Sequence, residues 1–401
     1  MIKKTKTDIE KIIEGLVIWL SAAILISWFW DRWFLVGPHG TYRWVGMDFV
    51  PFWVGVQEML RGFNPYTPEV TLKIQDVIYG GPAGTYDPMM FVYPAWIFIL
   101  FVPFSLLPLK CAVTIYSSTL ILMVTKIVSK LADSWPGKKG KARYVWVVLT
   151  FISSLPFLVI SALKGQLGYI GLIALYSCQI LWNKKPFWAG IALGFSVIKP
   201  TVTVIPTIVI LLWALYQKKW PVLSGFAVLI AFLSISSFVA SGFWVPEYLD
   251  MLSITGGMPV LWSQQILVFP WNLLYAGYFI FLMFLGFRKS VRTGREQPLF
   301  SAAILAGIAL FPMRWIYDLF LGILVSDTSV RFSRFTTAAV ALAMFFPWVL
   351  PFFHENIRWN IAVIGMPVAW SCVFLMQNSE RDIAGQTFGI KQMENIDENK
   401  I

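Results

Sequence analysis

Asp48 stands where a charge is hard to place. It lies in the run Gly46-Met47-Asp48-Phe49, just beyond the first long apolar stretch and against Phe49-Val50-Pro51-Phe52-Trp53. Only 13% of the 401 residues are charged, against 58% hydrophobic, and most charges fall in short connectors. A hydrocarbon setting favours the neutral form of a carboxyl group unless cations or donors offset it, and a carboxyl tuned in this way suits proton transfer. Asp48 could accept a proton from an attacking hydroxyl. It could equally be the N-cap of the helix that follows, a role Asp fills often.

Other polar groups share its setting. Ala162-Leu163-Lys164-Gly165-Gln166 places an ammonium and an amide at a glycine turn. Lysine attracts phosphate and glycine permits close approach, so this turn could bind an anion. A lysine at a helix end also snorkels with no further role. Lys199, in Val197-Ile198-Lys199-Pro200-Thr201, sits in a long apolar stretch with no acid to pair with it. A lipid phosphate or diphosphate is its natural counter-ion. The run Phe311-Pro312-Met313-Arg314-Trp315-Ile316-Tyr317-Asp318 carries an arginine, a proton-capable tyrosine and a carboxylate, suited to clamping a phosphate. An i,i+4 ion pair between Arg314 and Asp318 would stabilise a helix in any case. His39 and His354 are too isolated for a histidine metal site, and a carboxylate-bound divalent ion would have to use Asp48 and Asp87. No metal or other cofactor is expected. Cys111, Cys178 and Cys372 lie in apolar segments without ligand spacing, and an odd count argues against a disulfide framework.

The elements that hold these residues are membrane helices. A mean hydropathy of +0.69 with continuous apolar runs indicates an all-α polytopic membrane protein, whereas a membrane β-barrel would alternate apolar and polar residues. The net charge of +11 is spread over small basic clusters between apolar segments, which is orientation signal and headgroup contact, not a nucleic-acid surface. The first span, about Ile12 to Trp30, follows Lys3-Lys4-Thr5-Lys6 and no small-residue cleavage signal follows it, so it reads as an uncleaved anchor.

Basic residues flank the cytoplasmic ends of membrane helices. Placing Lys3 to Lys11, Lys138 to Arg143, Lys184-Lys185, Lys218-Lys219, Arg288 to Arg295, and Arg331 with Arg334 there fixes a topology. Spans near Pro221–Ala240 and Leu267–Phe287 enclose an outer loop with Trp244, Glu247 and Asp250, and a last pair turns outside at Pro351 to Glu355. Pro186–Gln217 must be a hairpin turning near Lys199-Pro200, and Leu299–Val330 one turning near Pro312 to Arg314. Their arms fall short of the ~20 residues of an ordinary span, and one long kinked helix is the alternative for each. Between Trp30 and Lys138 parity requires that Phe91–Leu107 or Cys111–Leu131 does not cross. The first, with Pro94, Pro103 and Pro108, is expected to be a juxtamembrane or re-entrant helix. The total is about twelve crossings. Asp48, Lys164-Gly165-Gln166, Lys199, and Arg314 with Tyr317 and Asp318 then all fall at outer turns. Asp48 to Pro65 reads as a short interfacial helix ended by Gly62 and an Asn-Pro turn, and Gly190-x-x-x-Gly194 as a close helix contact.

These pieces, in this order, resemble glycosyltransferase family 87 of the GT-C superfamily, whose members include α-1,2-mannosyltransferases using polyprenol-phosphate sugars. The matching residues are Asp48-Phe49, Gly62-x-x-Pro65-Tyr66, Tyr93-Pro94, Gly165-Gln166, Gly190 through Lys199-Pro200, and Pro312-x-x-Trp315-x-Tyr317. Ala95 departs from a second proline after Tyr-Pro, and Asp318 stands where a histidine is expected. The resemblance implies a GT-C-like bundle with juxtamembrane helices in its first outer loop, and Asp48 as the catalytic base. It implies transfer of a hexose, mannose by analogy, from a polyprenyl-phosphate carrier to a hydroxyl of a lipid-linked or cell-envelope glycan, on the extracytoplasmic side. Inversion would follow from direct displacement. Lys164, Gln166, Lys199, Arg314, Tyr317, Asp318, Tyr66 and Tyr93 are then candidate substrate contacts, and the aromatic residues of the loop from Asn64 to Met90 either cover a sugar or merely connect. Residues 1–376 form the membrane domain, with the outer loop at about 31–109, and 377–401 a polar cytoplasmic tail. The rival readings are a lipid or glycolipid flippase, in which the same cations guide a headgroup, and a membrane scaffold without catalysis.

Overall fold

The computed structural model describes residues 8–84, 89–133, 155–256 and 270–310, with short pieces between 321 and 375. The chain divides into two compact units. Met1–Ile127, Leu158–Pro200 and Trp213–Leu261 make the first; Val128–Phe157, Thr201–Leu212 and Trp262–Ile401 make the second.

Among the described residues four helices are long and apolar enough to cross a membrane. They are α1 (Asp8–Trp30), α5 (Leu109–Asp133), α10 (Trp220–Ser241) and α12 (Trp271–Thr293), close to four of the spans expected from sequence. The expected total of about twelve crossings reaches into residues outside the described set. So do the turns near Pro312 to Arg314 and Pro351 to Glu355, and the tail from Gln377.

The first unit adds one small strand pair to the expected helical architecture. After α1 the chain makes a small antiparallel hairpin, β1 (Phe34–Gly37) and β2 (Gly40–Arg43), with Phe34 opposite Arg43. Pro38 and His39 form the tip and Gly40 adopts φ +113°, a backbone that favours glycine. A two-stranded ribbon this short is not stable alone; it is held by neighbours such as Tyr79, whose ring meets Tyr42 edge-on at 5.0 Å.

Two loop helices follow, α2 (Val50–Leu60) and α3 (Pro68–Tyr79). As expected, α2 stops before Gly62, whose φ is +82°. The second of them forms part of the loop from Asn64 to Met90, expected from sequence either to cover a sugar or to connect. Glu58 joins the two: its buried carboxylate takes Arg61 at 2.5 Å and Lys73 at 2.6 Å, and a buried carboxylate is tolerable only when paired in this way. The proline-rich run gives a single 3₁₀ turn, Ala95–Ile97, leading into α4 (Phe98–Ser105). Together these are too short to span, in line with the parity reading. Trp53 donates to the Leu107 carbonyl at 2.9 Å and Gln57 to that of Ser105 at 2.8 Å, so α2 supplies donors for carbonyls at the end of α4 that have no intrahelical partner.

Next come α6 (Leu155–Lys164), α7 (Gly168–Leu181), α8 (Pro186–Gly194) with its 3₁₀ extension Phe195–Ile198, α9 (Pro200–Tyr216) and, after α10, α11 (Val245–Gly256). The chain breaks at Lys199, and it returns: Lys219 donates to the side chain of Asn183 at 2.5 Å. Pro186–Gln217 is therefore a hairpin and not one long helix. The glycine spacing has the packing role expected of it. A Cβ on Gly190 would strike the Val222 carbonyl and the Phe226 nitrogen, and one on Gly225 would strike the Phe187 carbonyl, so α8 and α10 run side by side in backbone contact.

In the second unit α12 is followed, after Gly294 at φ +64°, by α13 (Gln297–Leu310). The pair closes where a Cβ on Gly286 would meet the Pro298 carbonyl at 2.7 Å, and where the Ser290 hydroxyl accepts the Leu299 N–H at 3.1 Å.

Gly190→Ala tests the helix contact by its sign. In an open helix this change stabilises by about 0.8–1.0 kcal/mol. Here crowding should destabilise by about 1–3 kcal/mol, read as a lower unfolding midpoint in detergent; an unchanged or higher midpoint would contradict the packing.

Candidate active site

Asp48 is seated by backbone first. The Gly46 N–H donates to the Leu163 carbonyl at 2.6 Å and the Asp48 N–H to that of Lys164 at 3.1 Å, so the turn entering α2 is bound to the last carbonyls of α6. The α6 end has a defined shape. Gln166 N–H returns to the Ser161 carbonyl at 2.9 Å and Gly165 N–H to Ala162 at 3.2 Å, with Gly165 left-handed at φ +76°; this is a Schellman termination. Gly165 is required twice over, because a Cβ there would lie 2.6 Å from the Cβ of Phe49.

That turn aims its side chains at the carboxylate. Gln166 Nε2 donates to Asp48 Oδ2, and Lys164 Nζ lies 3.7 Å from the same oxygen. On its other side Gln166 Oε1 accepts from Lys199 Nζ at 3.1 Å. An ammonium has only donors and a carboxylate only acceptors, so the amide has one orientation that serves both. Gln166 and Lys199 are each 2% exposed, whereas the Asp48 and Lys164 side chains keep 12% and 20% exposure. All four residues belong to the first unit.

The N-cap reading of Asp48 is thereby overturned. The residue at the N-cap of α2 is Phe49, without a side-chain capping bond. The capping geometry fails because the Asp48 side chain is engaged by the α6 turn instead. The side chains of the Lys-Gly-Gln turn engage the protein's own Asp48 carboxylate.

Packing fixes this arrangement from behind. Phe49 is fully buried, with its ring 5.1 Å from that of Tyr116 and 5.8 Å from that of Phe101. Tyr116 in turn donates to the Gln166 carbonyl at 3.1 Å, and Ser117 to the Ala162 carbonyl at 2.7 Å as a second donor beside the Gly165 N–H, so α5 ties down both sides of the turn. Sequence reasoning missed both hydroxyls, since a Tyr-Ser pair inside an apolar span gives no signal of where it points. An apolar cavity of about 280 Å³ adjoins the same cluster, between Phe101, Phe104, Tyr116, Met123, Ile170 and Phe195.

The other expected contacts divide. Tyr66 donates to the Tyr93 carbonyl at 2.6 Å and packs among Phe91, Trp244 and Tyr248. Burial, and then Tyr248, push its hydroxyl well above the usual tyrosine range, so it stays a donor. Tyr93 packs on Phe52 with ring centroids 4.6 Å apart. Both build the wall carrying α2 and α4 and make no described contact with Asp48. Arg314, Tyr317, Asp318 and Asp87 lie outside the described residues.

Gly165→Ala should cost about 1–2 kcal/mol for the left-handed backbone and a further ~1–3 kcal/mol for the clash with Phe49. Thermal unfolding in detergent should show the loss; a midpoint equal to the parent's would mean that the turn is not pressed on Phe49.

Comparison with known families matches residues 91–318 to the model of glycosyltransferase family 87. No curated protein and no solved structure matches the chain. The matched stretch holds Lys164, Gln166 and Lys199 and begins after Asp48, which the hydrogen bonds above attach to it. It spans more than half of the sequence, and the chain accordingly belongs to glycosyltransferase family 87 and is a membrane glycosyltransferase.

Proposed function

We propose that this enzyme moves a hexose, mannose by family analogy, from a polyprenyl-phosphate carrier to a hydroxyl of a lipid-linked or cell-envelope glycan, with inversion and on the extracytoplasmic side. The observation that carries the proposal is the Asp48 carboxylate: partly accessible, tied at Oδ2 to Gln166 and Lys164, and attached to the stretch that defines the family.

In the proposed reaction the acceptor oxygen attacks C1 from the face opposite the phosphate. Its proton passes to Asp48. The C1–O bond to the carrier breaks, and the electron pair leaves with the phosphate. Direct displacement through an oxocarbenium-like transition state inverts the anomeric centre, as in inverting glycosidases. Charge grows on the departing phosphate, where a fixed cation acts most strongly. Lys164, the more exposed of the two lysines at the site, is the cation offered first for that role, with Arg314 a second. The apolar cavity beside Tyr116 offers room for part of a lipid chain.

Asp48→Asn should lower sugar transfer in detergent by about 10²–10⁴-fold, the range of general-base catalysis, with radiolabelled glycolipid product as the readout. Undiminished transfer would remove Asp48 from the mechanism. A flippase would instead show activity only in sealed vesicles, and a scaffold no turnover in either.

A further inference from the structure

Lys199 and Gln166 are expected from sequence to touch the donor, yet both are withdrawn from solvent at 2% exposure and linked in series to Asp48. We propose that they are positioning residues: the Lys199 ammonium fixes the sense of the Gln166 amide, the amide holds Asp48 by Oδ2, and Oδ1 is thereby presented to the acceptor hydroxyl. This rests on the reading of Asp48 as the base.

Three observations converge on it. Among the described residues both side-chain contacts of the carboxylate fall on Oδ2, which leaves the other oxygen to take the proton. The amide bridges an ammonium and a carboxylate, so only one of its two flip states is favourable. Without the ammonium, a half-turn of the amide would set Oε1 against the carboxylate and repel it. Third, Lys199 occupies a poor place for a cation with a purely structural role. It is buried, and it immediately precedes α9, whose N-terminus is the positive end of its dipole. Its backbone is pinned at φ −122°, ψ 81° ahead of Pro200, since the residue before proline is pushed from the helical region. The lysine is thus held at a fixed point of the chain with its head on the amide.

The proton route follows. The acceptor O–H proton passes to Oδ1 as the oxygen bonds to C1, and the carrier phosphate leaves with the electron pair of the broken bond. Gln166 and Lys199 exchange no proton; they keep one lone-pair direction of Asp48 aimed at the acceptor.

Full-length protein in detergent tests this with Lys199→Met, Lys199→Arg and Gln166→Glu. One readout is kinetic, with a polyprenyl-phosphate mannose donor and an alkyl mannoside acceptor. The other needs no turnover: the rate at which dicyclohexylcarbodiimide labels Asp48 at pH 7, mapped by mass spectrometry, which reports how readily its carboxyl is found protonated. Lys199→Met and Gln166→Glu should lower kcat by about 100-fold, the scale of a misplaced reacting group, leave both KM values within about twofold, and speed Asp48 labelling several-fold. Lys199→Arg, which keeps a donor, should recover most of kcat and the slow labelling. A Lys199→Met enzyme with a raised donor KM but parental kcat and labelling would make Lys199 a phosphate ligand and overturn the proposal. Gln166→Glu is isosteric, so parental labelling in that variant overturns it even if Lys199→Met does not fold. Should Asp48→Asn retain full transfer, the base assignment fails instead, and the labelling arm still decides whether the three side chains are joined.

Discussion

The site depends on one hydrogen bond between chain segments far apart in sequence: the Gln166 amide to the Asp48 carboxylate. A carboxylate in apolar surroundings must be answered by donors and cations or lose its charge. Here the answer comes from a helix terminus, whose Schellman turn projects one amide and one ammonium to the same oxygen. Much of the first unit is arranged to keep that terminus and the start of α2 in register. Gly165 lets them touch, the Phe49 ring anchors the approach from within the aromatic cluster, and hydroxyls from α5 donate to carbonyls on both sides of the turn.

A division of labour among the cations follows from their burial. Lys164 remains partly exposed beside Asp48, where the proposed mechanism brings the leaving phosphate, while Lys199 is enclosed and, in the proposed positioning role, acts on the carboxylate at one remove. The outer-loop helices have a different task. The Glu58 bridges and the Tyr66–Tyr93 contact make α2, α3 and the start of α4 into a wall, so that the turn carrying Asp48 leads directly into a braced element, as the proposed base requires.

What the sequence disclosed was local. Apolar length gave the four described spans, the three prolines around Phe91–Leu107 announced a run that does not cross, and Gly190-x-x-x-Gly194 announced a helix contact. Asp48, Lys164, Gln166 and Lys199 could be singled out because charge and amide are rare in such segments. Their mutual relation was not legible. Lys199 lacks an acid in its own stretch, and the acid it reaches, through an amide, comes from an earlier loop. The cap reading of Asp48 failed for the same reason, as a local rule gave way to a tertiary bond. The β-hairpin after α1 escaped because its strands are short and lie in a chain dominated by helical signals.

The most direct test is a double-mutant cycle on sugar transfer with Asp48→Asn, Gln166→Leu and the pair together. If the amide acts through the carboxylate, the double variant will be no slower than Asp48→Asn alone, because the second change removes something already without effect. Losses that multiply, each acting in full whether or not the other is present, would show that the two residues work independently and would contradict the account.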